Sequence, residues 1–261
     1  MNNALIGYTG FVGSTITRQT DFSACYRSTN IESIRGKTFD TVVCAGAPAQ
    51  KWLANQNPEE DRERIKNLAN CILETKCERL ILISTVDVFA DPRGANEESP
   101  ISKEGLSPYG LHRRLLEEVV TDNFRNHLIV RLPGLVGPGL RKNVIFDFLN
   151  DNNLAQVDSR GVFQFYPMVN LWADIQTALQ AGLSLIHLTA EPISVATVAR
   201  DGFGREFSNE RPSPPANYDL QTLYAKLFGG GSSYQYSARE SLLAIRAYAQ
   251  SEPDRAKERR S

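Results

Sequence analysis

The sequence predicts an α/β fold, a doubly wound parallel sheet with a small lobe in its C-terminal part. Three observations carry this expectation. The chain begins with a short apolar run, Ala4-Leu5-Ile6, followed by Gly7, Gly10 and Gly13 at three-residue spacing and a helical pattern from Phe11. Continuously apolar runs at 41–45, 80–83 and 128–130 read as parallel strands buried on both faces. The stretches between them carry apolar residues at 3- and 4-residue spacing, the period of a helix that packs by one face. Strand and helix in alternation place helices on both sides of one sheet.

Taken in order, the first strand, the glycine turn and a helix over Phe11–Gln19 form a βα unit suited to a nucleotide. A pyrophosphate must approach the backbone closely there, which a Cβ would block, and is held by free N–H groups at the positive end of the helix. A second short strand is expected over 23–26. The third, 41–45, runs into Gly46-Ala47-Pro48. A helix is expected over 58–76, with Ile65, Leu68, Ala69, Ile72 and Leu73 on one side. The strand 80–83 leads into Ser84 and Thr85. Pro108–Asn123 is expected as a long helix, with Leu111, Leu115 and Val119 in one stripe, and strand 128–130 follows.

From Arg131 the texture changes, and Pro133, Gly134, Gly137, Pro138 and Gly139 punctuate a long connection. A short helix is expected over 143–149, an aromatic stretch over 161–168, a helix over 174–181 and a strand over 184–188. Another short helix follows Ile193, and a helix over 218–228 is closed by Gly229-Gly230-Gly231. The tail from Gln250 has no apolar face and is expected to be mobile. The expected division is a nucleotide-binding domain over 1–140, a reduced lobe over 141–249 with elements returning to the first domain, and a charged tail over 250–261.

Composition bounds the function. The 261 residues carry a net charge of −1, so no basic field points to nucleic acid or an anionic membrane. No apolar run is long enough for a membrane span. The N-terminal stretch has neither a positive n-region nor a cleavage pattern, and a cytoplasmic location is expected. Cys25, Cys44, Cys71 and Cys77 fit no metal-ligand spacing. They read as reduced thiols, with Cys25, Cys44 and Cys71 packed as small hydrophobes. His112, His127 and His187 lie in no partner motif, and a surface role is expected for His112.

Behind the glycines lies a set of residues suited to moving a proton. Thr85 sits at the C-terminal end of a buried strand, where α/β sheets bind ligands. Tyr109 stands at the start of a helix, and Arg113 at i+4 lies on the same face. A hydroxyl, a phenol and a cation can therefore converge. Taken singly, Thr85 also reads as a strand-end cap and Tyr109 as packing.

At these residues the sequence resembles the extended short-chain dehydrogenase/reductases, the NAD(P)-dependent epimerases, dehydratases and reductases that mostly act on nucleotide sugars. The resemblance rests on GYTGFVGS, LILISTVDVF, SPYGLHR and RLPGLVGP in this order, and covers about 3–140 well and 141–230 loosely. It implies a Rossmann-type fold and hydride transfer, with Thr85 and Tyr109 catalytic and position 113 supporting the tyrosine. The family has Lys where this chain has Arg113. An arginine keeps the charge but not the point geometry, and it cannot relay a proton. Either Arg113 is a working substitute, or the chain binds cofactor without turnover, as a sensor or scaffold.

The resemblance also implies cofactor contacts from Gly7, Thr9, Gly10, Phe11, Val12, Cys44, Ala45, Gly46 and Ser84, and from Pro133 and Leu135 beside the nicotinamide. The end of the second strand offers no acid to hold an adenosine 2′-OH. Arg27 and Ser28 there suit a 2′-phosphate, which leans the cofactor towards NADP over NAD. Lys51, Asn143, Gln164 and Tyr166 are the candidate substrate contacts. The aromatic run either stacks a sugar or nucleobase or forms the core of the small lobe. A homodimer is common in such proteins.

Overall fold

The structure is a computed structural model that describes residues 2–231 and 233–253. In chain order its elements are β1 (Asn3–Ile6), α1 (Phe11–Gln19), β2 (Ala24–Tyr26), β3 (Thr38–Cys44), α2 (Lys51–Gln56), α3 (Pro58–Leu73), β4 (Lys76–Thr85), α4 (Pro108–Asn123) and β5 (His127–Leu132). There follow β6 (Gly134–Val136), α5 (Val144–Asn150), β7 (Val162–Phe163), β8 (Phe165–Pro167), α6 (Leu171–Gln180), β9 (Leu185–His187), β10 (Ile193–Ser194), α7 (Val195–Thr197) and α8 (Ala238–Ser251). The chain divides into two compact units. The first holds Met1–Pro92, Glu97–Leu132 and Leu171–His187, and the second Arg93–Asn96, Pro133–Asn170 and Leu188–Ser261.

The first unit is a six-stranded parallel sheet in the order β2-β1-β3-β4-β5-β9. Its middle strands are apolar because both faces are covered: Leu5, Val43, Ile81 and Val130 on one face and Ala4, Val42, Leu80 and Ile129 on the other are all buried. Each such Val, Leu or Ile side chain contributes about 1.5–3 kcal/mol relative to exposure. The chain leaves β1 towards β2 on one side and β3 on the other. That reversal opens a crevice at the carboxyl ends of β1 and β3, the place where open α/β sheets take ligands. In a parallel sheet the end of β4 lies at the same edge, two strand spacings or about 10 Å from β1.

The ends of α1 and α4 match the expected residues, because local chemistry sets them. Gly10 starts α1 in extended backbone, and Pro108 occupies the first turn of α4 behind a Ser107 cap whose Oγ accepts from Gly110 N. α3 ends at Leu73 and β4 starts at Lys76, so the expected helix over 58–76 is too long. α4 is tied to the sheet by a buried ion pair. Arg131 on β5 donates Nε to Glu117 Oε1 at 2.9 Å and Nη2 to Oε2 at 2.8 Å. Burial alone would raise the Glu117 carboxyl, but bonds from Arg131 and Ser84 outweigh it and hold the carboxyl below its ordinary value. Cys44 and Cys71 are buried, whereas Cys25 and Cys77 are half-buried, so Cys25 is not fully packed as expected. All four are free thiols.

The second unit pairs β6 with β8 in parallel and β7 with β10 antiparallel. α8, which apolar spacing did not mark, carries a capping box between Ser237 and Glu240. Tyr248 on α8 donates its hydroxyl to the Leu140 carbonyl at 3.0 Å. The helix expected over 218–228 does not form. Leu220 is instead fully buried and bridges to Ala95, and only Ala225–Phe228 makes a 3-10 turn, which Gly229 ends at φ +77°. Of the tail expected over 250–261, Gln250 and Ser251 close α8, and residues 254–261 lie outside the described residues. No described helix is long and apolar enough to cross a membrane.

Candidate active site

The glycine turn joins β1 to α1 through contacts that admit no side chain at two positions. Gly7 has φ +87°, and a Cβ on it would stand 2.3 Å from the Ala45 carbonyl oxygen. A Cβ on Gly13 would stand 2.1 Å from the Gly7 carbonyl oxygen. Gly7 thus lets the turn pass against the end of β3, and Gly13 lets α1 pack onto the turn. Gly10 meets only the Gly7 oxygen, at 3.4 Å, so its bare face serves an incoming ligand better than internal packing. No side chain caps α1 and no acid stands in its first turn, which leaves the N–H groups around Phe11 and Val12 for an anion. Thr9 and Gly10 are exposed beside them. The cradle therefore fits the pyrophosphate of a dinucleotide.

The flanking strand ends agree with this placement. Ala45 and Gly46 continue from β3 beside the turn, and Ala45 N donates to the Ile6 carbonyl at 2.9 Å. Cys44 is buried, and burial pushes its thiol up to about 11 against the opposing pull of the Gly46 N–H, so it stays protonated. After β2, Arg27 and Ser28 are exposed, and Arg27 donates Nε to Thr29 Oγ1 at 2.9 Å. The loop 27–30 holds no carboxylate. The Ser84 hydroxyl donates to Glu117 Oε1 at 2.6 Å in the interior, so the side chain serves the α4–sheet ion pair.

Thr85 and Tyr109 come together. Thr85 ends β4 and caps the single turn that follows, its Oγ1 accepting from Asp87 N at 3.2 Å. Gly110 lets α4 approach that turn: a Cβ there would stand 2.0 Å from the Asp87 carbonyl oxygen. The neighbouring Tyr109 is only 9% exposed, with its phenol in hydrogen-bond reach of the Thr85 side chain. Burial raises its phenol above the ordinary value. Arg113, Thr85 and Lys51 pull it back, and Asp87 adds to the rise. The phenol is accordingly protonated at neutral pH.

Arg113 stacks on Tyr109, with Cζ 4.0 Å from the ring centroid. Its fork is otherwise engaged. Nη2 donates to Asp61 Oδ1 at 2.9 Å and to the Pro48 carbonyl, and Nη1 donates to Asp61 Oδ2 and, at 3.2 Å, to the Tyr109 carbonyl. The Nε–H is buried with no acceptor. Arg113 thus gives Tyr109 a charge, while its hydrogen bonds lock α4 to α3 and to the loop after β3. His112 also reaches Asp61, Nδ1 to Oδ2 at 2.7 Å, and is buried and not on the surface as expected. Burial would raise the Asp61 carboxyl, but bonds from Arg113 and His112 outweigh it and hold it low.

Three residues of this site were not singled out from the sequence. Asp61 is the partner of Arg113. Asn55 Oδ1 accepts from Tyr109 N at 3.0 Å. Asp87 forms a 2.6 Å ion pair with Lys51 Nζ. Lys51, expected as a substrate contact, therefore belongs to the surroundings of Tyr109. The one available signal was Asp87, a carboxylate two residues beyond Thr85 at the same strand end.

The remaining candidates fall in the second unit, and the structure engages most of them internally. Gln164 Nε2 donates to Thr189 Oγ1 (2.7 Å), the Ala190 carbonyl (2.7 Å) and the Leu220 carbonyl (2.8 Å), while Oε1 accepts from Leu220 N (2.7 Å). Tyr166 is fully buried, its ring edge-on to Tyr236 at 5.6 Å. Asn143 caps α5 through Oδ1 and donates Nδ2 to the Leu135 carbonyl at 2.9 Å. These three side chains hold the lobe together. Pro133 is buried just after β5, and Leu135 pairs with Tyr166 in the β6–β8 ladder.

A family model described as the NAD dependent epimerase/dehydratase family matches residues 4–164. No curated protein matches the sequence. Among solved structures, a dTDP-4-dehydrorhamnose reductase from Bacillus anthracis in complex with NADP aligns with TM-score 0.71 at 16% identity, over 94% of this chain and 99% of that one. The UDP-glucose 4-epimerase of Thermotoga maritima with UDP-glucose aligns at 0.69 and 15% identity, over 96% and 99%. The Bordetella bronchiseptica enzyme WbmG in complex with NAD aligns at 0.74 and 16% identity, over 96% and 94%.

Proposed function

Because the chain belongs to the NAD dependent epimerase/dehydratase family, we propose that it is an NAD(P)-dependent enzyme that reduces, epimerises or dehydrates a nucleotide-linked sugar. The observation that carries this reading is a protonated, buried Tyr109 against Thr85, at the same sheet edge as a glycine cradle suited to a dinucleotide. The cofactor, when bound, supplies or accepts the hydride. Tyr109 gives its proton to the oxygen of the carbonyl being reduced, or takes it back in the reverse direction. The Thr85 hydroxyl holds that oxygen beside the phenol. The Arg113 charge over the ring stabilises the phenolate left behind. Known structures with this fold hold NAD in one case and NADP in another. Arg27 and Ser28, with no acid beside them, favour NADP here.

The engagement of the Arg113 fork by Asp61 and Pro48 favours a second reading, a non-catalytic NADP-binding sensor or scaffold. The test measures NADPH binding by fluorescence, then NADPH consumption against a panel of 4-keto nucleotide sugars. Turnover that disappears in Tyr109→Phe, with cofactor affinity retained, supports the enzyme. Binding with no turnover on any substrate, and no effect of Tyr109→Phe, supports the sensor.

A further inference from the structure

We propose that Lys51 is the second cation of the Tyr109 site, held there by Asp87, and that it supplies the solvent-accessible ammonium that position 113 does not carry. The inference deepens the reading of Tyr109 as the proton donor and rests on it. Lys51 opens α2, and Asn55 lies one turn later on the same face. Asn55 fixes this face to the first turn of α4 by accepting from Tyr109 N. Asp87 is fixed from the other side, its carbonyl against Gly110 and its amide on Thr85 Oγ1. The 2.6 Å Lys51–Asp87 pair closes the ring between α2, the turn after β4 and the start of α4.

The two cations differ in what they can do. The Arg113 side chain is 3% exposed and its fork is bound to Asp61, to Pro48 and to the Tyr109 carbonyl. It is a fixed charge that never loses a proton. The Lys51 side chain is 43% exposed and Asp87 is 17% exposed, so this pair meets solvent. The charged groups facing Tyr109 are thus Arg113 on α4 with Asp61 behind it on α3, Asp87 after β4, and Lys51 on α2. Among them Lys51 favours the phenolate and Asp87 opposes it. Removing one or the other must therefore move Tyr109 in opposite directions.

The experiment titrates Tyr109 in the chain without cofactor or substrate. Phenolate absorbance is recorded as the difference from Tyr109→Phe, in the native, Lys51→Met, Lys51→Arg and Asp87→Asn backgrounds. Circular dichroism follows the fold over the same range. The ¹³Cζ resonance of labelled Tyr109 reads the onset of ionisation below any alkaline unfolding. Lys51→Met is expected to move the Tyr109 midpoint to higher pH and Asp87→Asn to lower pH. Lys51→Arg keeps it at or below the native value, because its charge persists in alkali. Where turnover is measured, Lys51→Met lowers the rate at neutral pH about tenfold and Lys51→Arg restores most of it. Equal midpoints in all backgrounds, or displacement of Lys51→Met and Asp87→Asn in one direction, overturn the inference. If the shifts are opposed and no substrate turns over, the inference stands and the enzymatic reading falls.

Discussion

Restoring the family residue by Arg113→Lys is expected to damage this protein. In the structure four of the five guanidinium N–H groups are engaged, two on Asp61 and one each on the carbonyls of Pro48 and Tyr109, in a site 3% exposed. A lysine keeps the charge and so avoids stranding Asp61. Its three donors radiate from one nitrogen and cannot span both Asp61 oxygens and the Pro48 carbonyl. About two charge-assisted hydrogen bonds are lost, each worth roughly 1.5–3 kcal/mol, and partial relaxation brings the cost to about 3 kcal/mol. For a chain of this size that is a fall in Tm of about 6–12 °C. The assay is thermal unfolding by circular dichroism, with Asp61→Asn as the companion. That variant leaves a buried guanidinium short of its partner and is expected to cost at least as much. An unchanged Tm in Arg113→Lys, together with undiminished NADPH turnover, would refute the reasoning, since it would show that only the charge at position 113 matters.

Other expectations follow from single observations. Gly13→Ala places a Cβ 2.1 Å from the Gly7 carbonyl and should abolish NADPH binding while lowering Tm, read by fluorescence titration and calorimetry. Asp61 and Glu117 both have carboxyls held below their ordinary values in the fold. Their contribution to stability is full above pH about 5 and is lost as pH falls through the folded values, so urea midpoints should drop below pH about 5 and Glu117→Gln should flatten that limb. Gln164→Ala leaves the Leu220 amide and the Ala190 carbonyl without their partner, while the Leu220 carbonyl keeps Thr189 Oγ1, and should cost about 2–3 kcal/mol in urea unfolding, without changing cofactor affinity.

What was legible in the sequence was what local chemistry decides. The βα unit follows from glycines whose missing Cβ atoms the turn requires, and α1 and α4 from apolar periodicity with a proline or glycine at the start. The buried strands follow from β-branched and leucine runs that have no polar side to turn outward. Thr85 and Tyr109 could be singled out because each sits at the end of such an element. α8 had a readable signal, the Ser237–Glu240 box, that the periodicity did not raise. α2 has six residues and no stripe, so nothing local announces it.

The rest was decided by contacts distant in sequence. Whether Arg113 points its fork at a ligand or at the protein depends on Asp61, 52 residues away, reaching it from another helix. Whether Gln164, Asn143 and Tyr166 face a substrate or a core depends on strands that bring Leu220, Leu135 and Tyr236 beside them. A side chain's type declares which bonds it can make. Only the packed chain determines which of them are already taken, because a buried donor or acceptor satisfied inside the fold has nothing left for a ligand.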